Sequence, residues 1–134
     1  MKHRRLTIGR WRVDFLFARE EYDVDEVLSL MYECNASPSL CARAKRLMQS
    51  GRVNTGFTFS DSDDYRAIVA IGPASSGEQF VNTLSHEIHH LAVAVASALG
   101  IDLEEETPAY IAGDTSMELI KTICEFGCNC GIDK

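Results

Sequence analysis

The residues best equipped to do chemistry stand in the middle of one stretch, 80–100, reading FVNTLSHEIHHLAVAVASALG. His86-Glu87-Ile88-His89-His90 fits the pattern H-E-x-x-H, with the outer histidines at 86 and 90. On an α-helix each residue advances about 100°, so positions i and i+4 stand about 40° apart on one face. Two imidazoles so placed can bind a single Zn²⁺. Glu87 lies beside the first histidine, where it reaches the same space without being a ligand. A carboxylate there can take the proton of a water that a metal has acidified. The expected chemistry is hydrolysis.

That chemistry needs a helix to hold it. Ser76-Gly77-Glu78-Gln79 has the form of a capping box, with Ser76 as N-cap and Gln79 three residues on. Gly100 follows the last apolar residue and suits the left-handed position that ends a helix. Residues 91–99 are apolar on nearly every side, which predicts a spine helix buried all round. His89 points about 60° away from His86 by the same arithmetic and is expected on the surface.

At 134 residues the chain is expected to form one domain spanning 1–134. A formal net charge of −7 argues against non-specific binding to nucleic acid or to acidic membranes. The basic start MKHRR runs into LTIGRWRVDF, with charges every few residues and no unbroken apolar region, so export is not expected. Cysteines at 34, 41, 124, 128 and 130 make an odd count; with no signal peptide they read as reduced thiols in a cytoplasm. Cys124, Cys128 and Cys130 match no standard zinc spacing and are read as thiols at the end of a helix.

The remaining segments must form the scaffold. Residues 6–19 alternate, with Trp11, Val13, Phe15 and Phe17 on one side and Arg10, Arg12 and Asp14 on the other. That pattern predicts one half-buried strand, with Trp11 as a core anchor. Residues 23–34 predict a helix capped by Asp23 with Glu26, its apolar stripe being Val24, Val27, Leu28 and Met31. Ser37-Pro38 opens a second helix running to about Ser50 and closed by Gly51, with Arg43, Lys45 and Arg46 on a solvated face. Thr55, Phe57 and Phe59, an acidic turn at 61–64, and the run 65–71 predict a β-hairpin. A last helix is expected over 109–126, with Tyr110, Met117, Ile120, Ile123 and Cys124 as its buried side.

A catalytic zinc needs a third protein ligand and an open position. His3 is far away in the chain, so the carboxylates after the motif helix are the natural source: Glu104, Glu105, Glu106 and Asp114. At this point the residues carry a resemblance. His86, Glu87 and His90, followed by Glu106, Ala109 and Tyr110, resemble the H-E-x-x-H…E-x-x-A-Y pattern of the gluzincin metallopeptidases in minimal form. The stretch 85–113 also resembles small zincin-like proteins of bacteriophages and mobile elements. The resemblance implies an α+β, zincin-like fold: a small antiparallel sheet packed on the H-E-x-x-H helix and a following helix, with additional N-terminal helices. It implies zinc held by His86, His90 and Glu106, with Glu87 as general base and Tyr110 as a donor to a developing oxyanion. Pro108 disfavours helical geometry at Thr107, which keeps Glu105 and Asp114 open as the third ligand. In such proteins a strand just before the motif helix holds extended peptide by edge pairing, and Arg66–Ile71 would be that strand. The implied activity is hydrolysis of peptide or amide bonds in a peptide or protein substrate. The alternative is a non-catalytic binding or assembly protein on the same scaffold, its metal structural or absent.

Overall fold

Two short runs of alternating residues open the chain, and a glycine decides how they are joined. The computed structural model describes residues 1–101, 106–120, 122 and 124. Strands β1 (Lys2–Ile8) and β2 (Trp11–Phe17) pair antiparallel across a tight turn at Gly9 and Arg10. Gly9 has φ +58, and a left-handed first loop residue matches the twist of a two-residue hairpin. The sequence reading of one strand over 6–19 is therefore corrected to two. Four of the first five residues of β1 are basic, and only Leu6 and Ile8 give it an apolar face.

β2 is buried on both faces rather than one. Trp11, Val13, Phe15 and Phe17 enter one core, and Leu16 enters a second on the other side of the sheet. Asp14 is 0 % exposed. Its Oδ1 accepts from Arg5 Nε at 2.8 Å and lies 2.6 Å from His3 Nε2, so the buried carboxylate is paired.

Two helices follow, α1 (Val24–Glu33) and α2 (Pro38–Gln49), and both start as the sequence predicts. Asp23 accepts from the backbone of Glu26, and Ser37 accepts from that of Leu40, with proline in the first turn. Each such cap contributes about 1 kcal/mol. Gly51, with φ +72, then turns the chain out of α2.

The pair α1–α2 returns the chain to the end of the sheet at which β2 finished. Strand β3 (Gly56–Asp61) runs back along the sheet's edge, and β4 (Arg66–Ile71) fills the gap between β3 and β2. The order is β1-β2-β4-β3, with β2 and β4 parallel and both outer pairs antiparallel. The fold is α+β, and its sheet is mixed where an antiparallel one was expected. A hairpin entered after a two-helix excursion has to set its second strand alongside β2 in the same direction.

α3 (Gly77–Ala98) and α4 (Thr107–Glu118) cover the face opposite α1 and α2. Ser76 accepts from Gln79 N at 3.1 Å, and Gly100 has φ +71, so both ends of α3 form as predicted. Phe80, Leu84, Ile88, Leu91 and Val95 face the sheet. The all-round burial expected for 91–99 is not found: Val93 and Ala94 are half-buried, and Leu99 is exposed.

α4 also presents a different face from the one expected. Thr115 and Leu119 are buried, and Ile111 and Ala112 pack against the core. Tyr110 and Met117 are each 65 % exposed, and Ile120 is exposed as well. Thr115 and Ser116 return their hydroxyls to the carbonyls one turn back, which lets a polar-looking side of the helix go inward. Thr107 is already helical, with Pro108 in the first turn where no N–H partner is needed. Ile123 and Phe126 lie outside the described residues. Among the described residues no helix is long and apolar enough to cross a membrane.

Candidate functional site

Helix arithmetic orders the side chains of α3 around its axis. Taking His86 as zero, His90 stands near 40°, Thr83 near 60°, Glu87 near 100°, and the core residues Leu91, Leu84 and Val95 between about 140° and 180°. Thr83 and Glu87 thus form the border between core and surface, and both are buried while His86 and His90 are exposed. The histidine Nε2 atoms lie 3.1 Å apart. A tetrahedral zinc with bonds of about 2.0–2.1 Å sets its two nitrogens about 3.3 Å apart, so the pair fits a shared ion with little movement. His89 is exposed, with its ring 6.3 Å from that of His90.

Glu87 is 5 % exposed and is held from the sheet. Thr58, in β3, donates its hydroxyl to Glu87 Oε1 at 2.9 Å. The other carboxylate oxygen lies 3.9 Å from His86 Nε2. One oxygen is therefore anchored while the other faces the histidine pair.

The close approach of β3 and α3 depends on a missing side chain. A Cβ at Gly56 would stand 2.6 Å from the Ala70 carbonyl oxygen, 3.2 Å from Glu87 Cγ and 3.2 Å from Thr83 Cγ2. Glycine leaves this space to Glu87. Tyr22 is buried nearby, against Phe57. Burial first, and the charge of Glu87 second, push its phenol well above its ordinary range.

β3 is the outer strand of the sheet on this side. Gly72 N donates to Thr55 O at 2.9 Å, and that fixes the alternation in the β3–β4 ladder. Phe57, Phe59 and Asp61 exchange bonds with β4, whereas Gly56, Thr58 and Ser60 turn their backbone N–H and C=O outward. β4 pairs on both sides, so Arg66–Ile71 cannot accept a peptide by edge pairing. Among the described residues β3 pairs with β4 alone, so β3 is the strand placed for that role.

The other predicted residues are less gathered. Glu106 sits at the start of α4, exposed, and its side chain makes no capping hydrogen bond. Tyr110 is one turn further on and points to solvent. Asp114 lines a cleft between α4 and β1, at the opposite edge of the sheet from β3. Glu104 and Glu105 lie outside the described residues, as do Cys128 and Cys130. Among the described residues no three His, Cys, Asp or Glu side chains form a group able to hold a metal ion. Cys34 and Cys41 are buried and free, and burial pushes the Cys34 thiol up.

Sequence reasoning missed Thr58 and Gly56. Their one signal is register: both alternate with Phe57 and Phe59 along β3, and so face the motif helix. No family model matches the chain, and no match to it is found among curated proteins or solved structures.

Proposed function

We propose that this chain is a zinc-dependent hydrolase of peptide or amide bonds, built on a minimal gluzincin-like arrangement. The observation that carries the reading is the convergence of His86 and His90 Nε2, 3.1 Å apart, beside the buried Glu87 carboxylate. His86 and His90 would hold the ion, with Glu106 proposed as the third ligand on the resemblance alone. When bound, the ion supplies Lewis acidity, which brings a coordinated water toward neutral pKa.

The chain's own residues do the rest. Glu87 takes the water proton on the oxygen that faces His86 and passes it to the leaving amine. Thr58 keeps the carboxylate aimed, so little reorganisation is needed when the proton moves. The outward backbone groups of Gly56, Thr58 and Ser60 hold an extended substrate by strand pairing. Tyr110, exposed on the first turn of α4, is the proposed donor to the developing oxyanion.

The test is metal content by mass spectrometry on wild type and on the double variant His86→Ala, His90→Ala. Near-stoichiometric zinc that disappears in the double variant supports the site. Wild type that neither contains zinc nor takes it up at micromolar levels sinks the reading. A second reading is a binding or assembly protein of a phage or mobile element that keeps the scaffold without turnover. The open edge of β3 favours it, because strand pairing there needs no metal. Glu87→Gln separates the two: loss of hydrolysis with retained folding belongs to the enzyme.

A further inference from the structure

The face of β3 away from Glu87 carries a second feature. A groove of about 300 Å³ runs between that strand and α2, near the lower end of ligand-binding clefts. Leu40, Ala44 and Leu47 form one wall, and Phe57 and Phe59 the other, with Arg43 exposed beside them. Thr58 also lines this groove while its hydroxyl holds Glu87. The groove and the candidate site thus flank the same outward-facing stretch of backbone.

Strand geometry connects the two. Any segment paired along β3 sends successive side chains to opposite faces of the sheet. One set faces α3 and the histidines; the alternate set faces the groove. The groove is apolar in its walls, and its one charged lining residue is Arg43. α2 carries Arg43, Lys45 and Arg46 with no acidic residue, in a chain whose net charge is −7.

We propose that the α2–β3 groove is a side-chain subsite for an extended peptide paired along β3. It takes an apolar residue of leucine or phenylalanine size, with an acidic residue two positions away set against Arg43. This rests on the strand-pairing part of the function proposed above and adds the class of sequence recognised. Residues next to the apolar one, facing α3, would be presented to His86, His90 and Glu87.

The experiment is fluorescence polarisation with a labelled eight-residue peptide of threonines, one leucine and, two positions on, one glutamate. It is run on wild type, Leu40→Asp and Arg43→Glu; both substituted positions are exposed, and circular dichroism checks that the variants fold. Expected are binding to wild type, weakening by about tenfold or more in Leu40→Asp or when leucine becomes serine, and loss on backbone N-methylation of alternate residues. Replacing the peptide's glutamate by lysine weakens binding to wild type and restores it to Arg43→Glu. No binding to wild type, or equal binding to wild type and Leu40→Asp, overturns the subsite. Zinc content and the Glu87→Gln comparison are read separately, so failure of the subsite and failure of the metal site are distinguishable.

Discussion

The Thr58 hydroxyl donates to Glu87 Oε1 at 2.9 Å and lies 3.2 Å from the Glu87 backbone carbonyl. A single side chain thus ties the edge strand to both the carboxylate and the backbone of the motif helix. Glu87 is buried, so losing this partner leaves a carboxylate oxygen unsatisfied, at a cost of about 1.5–3 kcal/mol. Thr58→Val should lower the unfolding free energy by that order and leave zinc content unchanged. If the hydrolase reading holds, kcat falls more than KM rises, because the base is no longer aimed. Thr58→Ser, which keeps the hydroxyl, should recover most of both losses. Equal stability of the valine and serine variants would remove Thr58 from the site.

Gly56 makes the second prediction. A Cβ there meets the Ala70 carbonyl oxygen at 2.6 Å, a backbone atom that cannot swing aside. Gly56→Ala should destabilise by about 1–3 kcal/mol, as overpacking generally does. The contacts at Glu87 Cγ and Thr83 Cγ2, both 3.2 Å, should push α3 from β3 and weaken the Thr58–Glu87 bond. Chemical denaturation gives the first quantity. A Gly56→Ala that costs nothing would show that the strand can retreat freely.

The proposed metal ligands give a third. His86→Ala and His90→Ala should each lower bound zinc sharply, since either one leaves a single imidazole on that face. Glu87→Gln should keep zinc near the wild-type level while abolishing hydrolysis, because the amide retains the Thr58 hydrogen bond and loses the base. A Glu87→Gln variant that loses its zinc would make Glu87 a ligand and overturn its assigned role.

The opposite outcomes for two residues at the C-terminal end of α4, Met117 in its last turn and Leu119 at its cap, make a fourth. Leu119 is 0 % exposed and belongs to the core against the sheet, whereas Met117 is 65 % exposed. Leu119→Ala should cost about 2–5 kcal/mol, and Met117→Ala should stay within about 0.5 kcal/mol. Thermal unfolding of the two variants reads this directly. A large loss in Met117→Ala would return the helix to the face its apolar residues suggest.

These four sites also show how far the sequence could be read. Caps and turns were legible because they are local: Asp23, Ser37, Ser76, Gly51 and Gly100 all act within a few residues of themselves. The spacing of His86 and His90 was legible for the same reason. Strand order was not, because a parallel β2–β4 pair depends on where a two-helix excursion sets the chain down. That single fact moved the open edge from β4 to β3 and brought Thr58 to Glu87. The face of α4 was misread because Thr115 and Ser116 satisfy their hydroxyls within the helix, so the apolar stripe was a poor guide to burial.

A last prediction concerns acid. The Asn35 amide donates to Asp61 Oδ2 at 2.8 Å and to Asp64 Oδ2 at 2.6 Å, joining the end of α1 to the β3–β4 turn. The Asn35 bond is the main cause that holds the Asp61 carboxyl below its ordinary value, with the backbone of Asp63 and Asp64 and the charge of Arg66 adding to it. A depressed carboxyl contributes stability above its unfolded pKa of about 3.9, and that contribution is lost as pH falls through the folded value. Asn35 has φ +64, so Asn35→Gly removes the amide without straining the backbone. The variant should be less stable than wild type at about pH 7, and the gap should be smaller at about pH 3, below the unfolded pKa of about 3.9, where the unfolded chain binds a proton at Asp61 that the wild-type fold resists. Asp61 lies near the surface, so the effect is small and salt reduces it further. Urea unfolding at the two pH values decides it. A gap of the same size at both would mean that Asn35 acts through the turn's geometry and not through the Asp61 charge.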